Sequence, residues 1–406
     1  MKRTLLLFSI LLFWSCSNFQ DNYDYASAVD IDRPLDEIVT DLPIINIVVD
    51  AEAFANMYEM FTEDIELETA SFNLYRHGEL VIENEAIELQ LKGNFSKKFP
   101  LKSLGVKFDD RYDNSSRALI NPSKVLPFHS IEEIKSIRLR NSGNDFVHTM
   151  LKDLSYTQLA IAADLDLDLG YGEPSVVFIN NEFYGLLNIR TEVNTNGMAA
   201  LYDVKKSAIT LGKIDASNLN KKDGDFEKID LLVQAINDKD ISAIKAQIDL
   251  SNFIDYMVFE TYIANEDWPH TNVRFFAVGD GKFRCILHDL DKANDRMLRE
   301  SPVDFIDKRS KSIISELFLV LYKDEVFYTQ FWKRYRELLN SGLLSHDKFK
   351  AIVEHNMSVI EEVMPLQIKK YESPSTMIEW LIEVDKLHGT FERRERIVKN
   401  IVSEDF

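Results

Sequence analysis

The stretch Asn265-Glu266-Asp267-Trp268-Pro269-His270-Thr271-Asn272 decides how this chain is read. It leaves an apolar helical segment over residues 252–264 and enters a strand, Val273–Val278. A Gly279-Asp280-Gly281 turn follows. The next strand ends in His288-Asp289-Leu290-Asp291. A hairpin brings its two ends together, so Asp267 and Asn272 on one side and Asp289 on the other are expected to converge. Carboxylates with a side-chain amide are hard oxygen donors and suit Mg²⁺.

Downstream of this unit the spacing is helical. Phe327, Phe331, Tyr335 and Leu338 recur at three and four residues over 324–340, with Gly342 as a stop. Phe349, Ile352, Val353, Ile360 and Val363 do the same over 346–364, ahead of Pro365. Upstream the spacing is that of strands. Ile44–Val49 opens the folded part, and a short helix capped by Asp50 follows. Phe72 and Leu74 precede a His77-Gly78 turn. Ile87, Leu89 and Leu91 alternate into Lys92-Gly93-Asn94-Phe95-Ser96, and Leu104, Val106 and Phe108 share a face whose parity includes Lys102. Residues 137–139 read as a strand, 148–163 as a helix, and 176–179 with 184–189 as a hairpin around Asn180-Asn181. The fold class is therefore α+β, with a β-rich lobe over 43–200 and a helical lobe over 201–406 that carries the Asp267 loop.

The 406 residues carry 67 acidic and 47 basic side chains, a formal charge of −20, which disfavours nucleic acid or an anionic membrane surface as partner. Two cysteines exclude a disulfide-stapled mini-fold and a cysteine zinc ribbon. Lys2 and Arg3 precede an apolar run over residues 5–14, shorter than the roughly 20 residues of a membrane span and suited to an export signal. Residues 1–15 are read as that signal. Ser15-Cys16 resembles a bacterial lipoprotein processing site, with Cys16 the acylated residue; a plain secreted protein is the alternative. The acid-rich stretch 16–42 reads as a tether, either a solvated linker or a surface-export signal.

The Asp-x4-Asn spacing of Asp267 and Asn272 is that of a protein-kinase catalytic loop, with a metal-binding Asp one hairpin later. Gly93 offers backbone close to a phosphate, and Lys102 offers a cation on a neighbouring strand. Taken together, Lys92-Gly93-Asn94-Phe95-Ser96 with Phe99-Pro100-Leu101-Lys102, Arg140-Asn141-Ser142-Gly143-Asn144-Asp145, Asn180-Asn181-Glu182-Phe183-Tyr184-Gly185-Leu186 through Glu192, Asn265/Asp267/Asn272 and His288-Asp289-Leu290-Asp291 resemble the CotH family of atypical, secreted protein kinases. The helices over 317–339 and the closing 393–402 fit its C-terminal region, so the resemblance spans roughly 43–402. Three positions depart from the family pattern: His288 stands for Trp, Leu101 for the first Lys of a Lys-Lys pair, and Lys92 for a common Arg.

The resemblance implies a two-lobed, kinase-like fold that binds ATP with Mg²⁺ or Mn²⁺ and phosphorylates protein Ser/Thr hydroxyls; the export signal and the Ser15-Cys16 junction add the expectation that it works at the cell envelope, tethered to the bilayer only through Cys16, at the outer membrane of a bacterial cell. On that mapping Lys102 contacts phosphates and Asp267 positions or deprotonates the acceptor hydroxyl. Asn272 and Asp289 coordinate metal, with Asp291 either joining them or capping the next segment. Glu192 pairs Lys102 or touches the nucleotide. Nucleotidyl transfer on the same fold, or a non-catalytic surface module, are the competing readings.

Other features point to packing. Asp164, Asp166 and Asp168 alternate with leucines, but the sixth and twelfth positions counted from Asp164 are Leu169 and Ser175, so an EF-hand is excluded. Residues 215–225 read as an exposed acidic loop. Phe327, Tyr328, Phe331, Trp332 and Tyr335 read as a buried helical stripe, Cys285 as a small core residue, and His270 and His288 as packing or hydrogen-bonding groups.

Overall fold

The computed structural model describes residues 29–108, 125, 134–295, 300–309 and 312–404. The signal segment and Cys16 lie outside the described residues. Of the expected tether, 29–42 lies against the fold: Val29, Ile38 and Leu42 are buried and the Val29 amide donates to Glu362 O at 3.2 Å.

The N-terminal strands are β1 (Ile44–Val49), β2 (Glu66–Arg76), β3 (Glu79–Lys92), β4 (Ser103–Phe108), β5 (Ser136–Arg140), β6 (Asp168–Leu169), β7 (Gly172–Ile179) and β8 (Glu182–Thr191). Helix α1 (Ala51–Glu59) follows β1, with Asp50 accepting from the Ala53 amide, and α2 (Lys152–Ala162) follows β5. Seven of these strands close into a barrel in the order β1-β2-β3-β4-β5-β8-β7, sealed by parallel pairing of β1 with β7. The His77-Gly78 and Asn180-Asn181 turns both have positive φ at both residues, the requirement of a two-residue hairpin turn.

The barrel interior is apolar. Leu91, Leu104, Leu139 and Ile189 stand side by side across four strands and are buried. Strand parity then puts Gln90 and Lys92, Arg138 and Arg140, and Arg190 on the outer face. This outer face, on β3, β5 and β8, becomes one wall of the site.

The other wall is a second sheet. Helix α3 (Thr195–Leu201) leads into β9 (Ile209–Asp215) and β10 (Asn218–Asp223). Helices α4 (Phe226–Asn237), α5 (Ile241–Gln247) and α6 (Leu250–Ile263) precede β11 (Val273–Val278) and β12 (Arg284–Leu287). The sheet order is β10-β9-β11-β12-β6. The stretch expected as a loop over 215–225 is largely the edge strand β10, whose Asn- and Lys-rich face belongs at an edge. The chain ends in α7 (Pro302–Arg309), α8 (Ile313–Leu321), α9 (Glu325–Asn340), α10 (His346–Ile360), α11 (Met364–Tyr371) and α12 (Met377–Glu404).

The α+β class matches expectation, but the two-lobed picture needs correction. The β-rich part is a closed barrel, a second sheet lies within the half expected to be helical, and one continuous apolar core runs from the barrel through α2 and α6 into α9 to α12. A smaller core of Val193, Met198, Ala199, Ile209, Leu211, Phe276 and Ile286 sits at the base of the second sheet. Among the described residues, no helix is long and apolar enough to cross a membrane.

The remaining sequence features resolve as packing. Arg284 pairs with Asp166 and Asp168 of the alternating acids, and with Asp249. Phe327, Phe331, Trp332 and Tyr335 are core residues, as is Cys285, whose thiol pKa is pushed up by burial.

Candidate active site

The outer face of the barrel and the second sheet enclose a cleft of about 670 Å³. Its lining includes Gly93, Glu192, Asp267, Asn272, Asp289 and Asp291, so six of the site residues expected from sequence open onto one space.

The acidic wall comes from the loop after α6 and the end of β12. Helix α6 stops at Ala264, in the left-handed region at φ +49°. Asn265 N then bonds Glu260 O, and Trp268 N bonds Asn265 O, folding the loop back so that Asp267 faces the cleft. The Trp268–Pro269 bond is cis, and Trp268 anchors the loop in the core through Nε1 donating to Tyr256 Oη at 3.0 Å. Burial, and then the charge of Asp289, raise the pKa of Asp267. A carboxylate with a raised pKa is a better proton acceptor. Among the described residues, the side chains of Asp267 and Asn272 make no hydrogen bond.

Asp289 and Asp291 differ. Asp289 has 32% of its side chain exposed to the cleft, and its Oδ1 accepts from Arg140 Nη2 at 2.5 Å. Burial works to raise its pKa, but the Arg140 guanidinium outweighs this and holds it below the ordinary carboxylate value. Asp291 has only 3% exposed. It accepts from Asn144 N at 2.8 Å, Asn144 Nδ2 at 3.3 Å and Arg140 Nη2 at 3.0 Å. Gly143 makes this possible: at φ +59°, a Cβ there would stand 1.7 Å from Asp291 Oδ2. Behind both, Asp153 pairs with Arg190, accepts Leu290 N at 2.9 Å, and lies 3.4 Å from Arg140 Nε. His288 donates from Nδ1 toward Ile286 O at 3.2 Å, and burial with Arg274 pushes its pKa down to about 3, so it is a neutral hydrogen-bonding group.

The cleft's basic side chains come from both walls: Lys92 and Arg138 from the barrel, Lys213 and Arg274 from neighbouring positions on the second sheet. Glu192 is buried and pairs with Arg138 at 3.0 Å, not with Lys102. Lys92 lies across Gly105, where a Cβ would come within 2.4 Å of its Cε. Burial lowers the Lys92 pKa, opposed by Glu192. Arg274 is brought down to about 10 by burial and by the like charge of Arg138. Among the described residues, the buried Nε groups of Arg138 and Arg274 find no hydrogen-bond partner. This concentration of cations with orphaned donors, in a chain of charge −20, marks a place for an anion.

Lys102 is not part of the cleft. The face it shares by parity with Leu104 and Val106 is the closed barrel interior, where an ammonium has no counter-charge. It sits just before β4 and turns away, donating from Nζ to Lys97 O at 2.5 Å and Phe99 O at 3.1 Å, against the rings of Tyr58 and Phe61. It therefore ties down the far end of the Gly93 loop.

A divalent metal fits part of this arrangement. Asp289 and Asn272 supply oxygen donors on the open side, whereas Asp291 is enclosed by Arg140 and Asn144. Among the described residues, no cluster of three or more His, Cys, Asp and Glu side chains is placed to hold a metal, so any site here draws on the amide as well.

Sequence reasoning quoted Lys92 and Arg140 within motifs but gave them no role, and it passed over Arg138, Asp153, Lys213 and Arg274. The alternation of Arg138 and Arg140 with Ile137 and Leu139 was the available signal.

The family model described as CotH kinase protein matches residues 89–398. No curated protein matches the chain.

Proposed function

This chain belongs to the CotH kinase protein family, and from that premise we propose that it transfers the γ-phosphoryl group of ATP to Ser/Thr hydroxyls of a protein acceptor, using Mg²⁺ or Mn²⁺. The observation that carries this reading is one cleft lined both by cations, Lys92, Arg138 and Arg274, and by oxygen donors, Asp267, Asn272 and Asp289. A metal-bound triphosphate has the charge to meet both sets.

Asn272 and Asp289 would hold the metal, which would neutralise charge on the transferring phosphoryl oxygens. Lys92, Arg138 and Arg274 receive the phosphate chain, beside the backbone at Gly93. Glu192 keeps Arg138 in place. Asp267 orients the acceptor hydroxyl and takes its proton as the oxygen–phosphorus bond forms and ADP leaves with the bridging oxygen. Asp291 and Lys102 position their neighbours: Asp291 fixes the end of β12 against the barrel, and Lys102 fixes the loop that carries Gly93.

We also propose export and anchoring through Cys16 at the cell envelope, supported by the Lys2-Arg3 start, the apolar run and the Ser15-Cys16 junction. The unit boundaries proposed on this reading are a signal over 1–15, a tether beginning at 16, and the catalytic body from about 43 onward.

Calorimetric titration of ATP into the full chain, with and without Mg²⁺, tests the site. Metal-dependent binding that is lost in folded Asp289→Ala is the expected result. Equal binding by parent and variant would refute the assignment.

A further inference from the structure

Asp289 and Asp291 leave β12 two residues apart and meet a single guanidinium from the opposite wall. Arg140 Nη2 lies 2.5 Å from Asp289 Oδ1 and 3.0 Å from Asp291 Oδ2, while Nε lies 3.4 Å from Asp153 Oδ2. Arg140 ends a barrel strand, and its partners belong to α2 and to the end of the second sheet, so this contact bridges the two walls.

The three carboxylates are not equally dependent on it. Asp291 is also held by the Asn144 amide and side chain, and Asp153 by Arg190 and the Leu290 amide. Asp289 has no other hydrogen-bond donor among the described residues. It is also the most exposed of the three, and its backbone is in the left-handed region at φ +62°, which turns the carboxylate toward the cleft. One nitrogen, Nη2, serves both Asp289 and Asp291, so a small rotation of the guanidinium can release Asp289 while Nη2 keeps Asp291 and Nε stays beside Asp153.

We propose that Arg140 is the built-in counter-cation of Asp289, and that a divalent metal takes this carboxylate away from Arg140, whose Nη2 stays on Asp291 and whose Nε stays beside Asp153. The inference rests on the reading of the cleft as a metal-dependent site. Two consequences follow from the exchange. Metal entry breaks an ion pair, so Arg140 lowers the affinity for metal. Without metal, Arg140 keeps Asp289 and Asp291 from repelling each other, so it supports the fold.

Calorimetric titration of Mn²⁺ alone into the full chain, paired with thermal melts with and without Mn²⁺, reads both effects. The variants are Arg140→Gln, Arg140→Lys and Asp289→Asn. Arg140→Gln is expected to bind Mn²⁺ about tenfold more tightly than the parent, to melt lower without metal, and to regain most of that loss in saturating Mn²⁺. Asp289→Asn is expected to lose the binding. If Arg140→Gln does not fold, Arg140→Lys carries the test: a single ammonium cannot serve Asp289 and Asp291 while also reaching Asp153 as the guanidinium does, and Mn²⁺ should bind about threefold more tightly than to the parent. Parent-like or weaker Mn²⁺ binding by the folded variant, with binding still abolished in Asp289→Asn, overturns the role of Arg140 and leaves the metal-site reading standing. Failure of the parent to bind Mn²⁺ overturns both.

Discussion

Asn265 Nδ2 donates to Glu260 Oε2 across 3.1 Å, and this bond between two fully buried side chains fixes the start of the loop that carries Asp267. It joins the last turn of α6 to the first residue after it. Burial, with a smaller contribution from Asp289, raises the Glu260 pKa to about 8 against the opposing effect of Asn265.

Glu260 therefore titrates the fold. Its folded pKa lies above the ordinary 4.5, so its contribution to stability is complete below pH 4.5 and is lost as the pH rises through 8. Glu260→Gln keeps an acceptor for Asn265 and does not ionise. The melting temperature of Glu260→Gln relative to the parent is expected to climb steadily between pH 5 and 8. A constant difference across that range would contradict the buried, proton-binding state.

Asp153 has the opposite sign. Burial works to raise its pKa, but Arg190 and Arg140 outweigh it and hold it below the usual 3.8. Its stabilisation is present above 3.8 and is lost as the pH falls through the folded value. Asp153→Asn leaves two arginines short of a buried counter-charge and is expected to cost about 3–5 kcal/mol near neutral pH. Urea denaturation at pH 7 and pH 3 checks both the size of the loss and its shrinkage in acid.

Lys92 and Lys102 separate contact from support. Lys92→Ala is expected to weaken ATP binding by about 10- to 100-fold with little change in melting temperature. Lys102→Met loses two hydrogen bonds to loop carbonyls and is expected to lower stability by about 1–3 kcal/mol, with a smaller effect on ATP affinity than Lys92→Ala. Calorimetry and thermal melts on the two variants read the contrast, and a reversed order would return Lys102 to the phosphate site.

Gly143 answers for Asp291. A methyl group there meets a carboxylate oxygen and a guanidinium nitrogen, on a backbone already in the left-handed region. Gly143→Ala is expected to cost about 2–4 kcal/mol in chemical denaturation. A cost below 0.5 kcal/mol, the level of an ordinary surface substitution, would show that Asp291 does not need this cradle.

Much of this architecture is legible in local chemistry. The His77-Gly78 and Asn180-Asn181 turns announce their hairpins because few residues tolerate positive φ at two successive positions. The hairpin after Asn272 announces that its two ends meet, and the cleft lies there. What escapes local reading depends on partners distant in sequence. Parity places Lys102 with Leu104, but only closure of β1 on β7 makes that face a sealed interior. Arg138 and Arg140 alternate visibly, yet their task depends on which sheet crosses the barrel outside them. Residues 218–223 look like loop because an edge strand has little need of apolar side chains.

Transfer of label from ATP tests the central claim most directly. The full chain is incubated with Mn²⁺, a protein acceptor, and ATP labelled at either the γ- or the α-phosphate. The account predicts γ-label on protein hydroxyls, no α-label, and a drop of about 100-fold or more in Asp289→Ala that has kept its fold. Label transferred equally well by folded Asp289→Ala, or α-label appearing on protein, would contradict it.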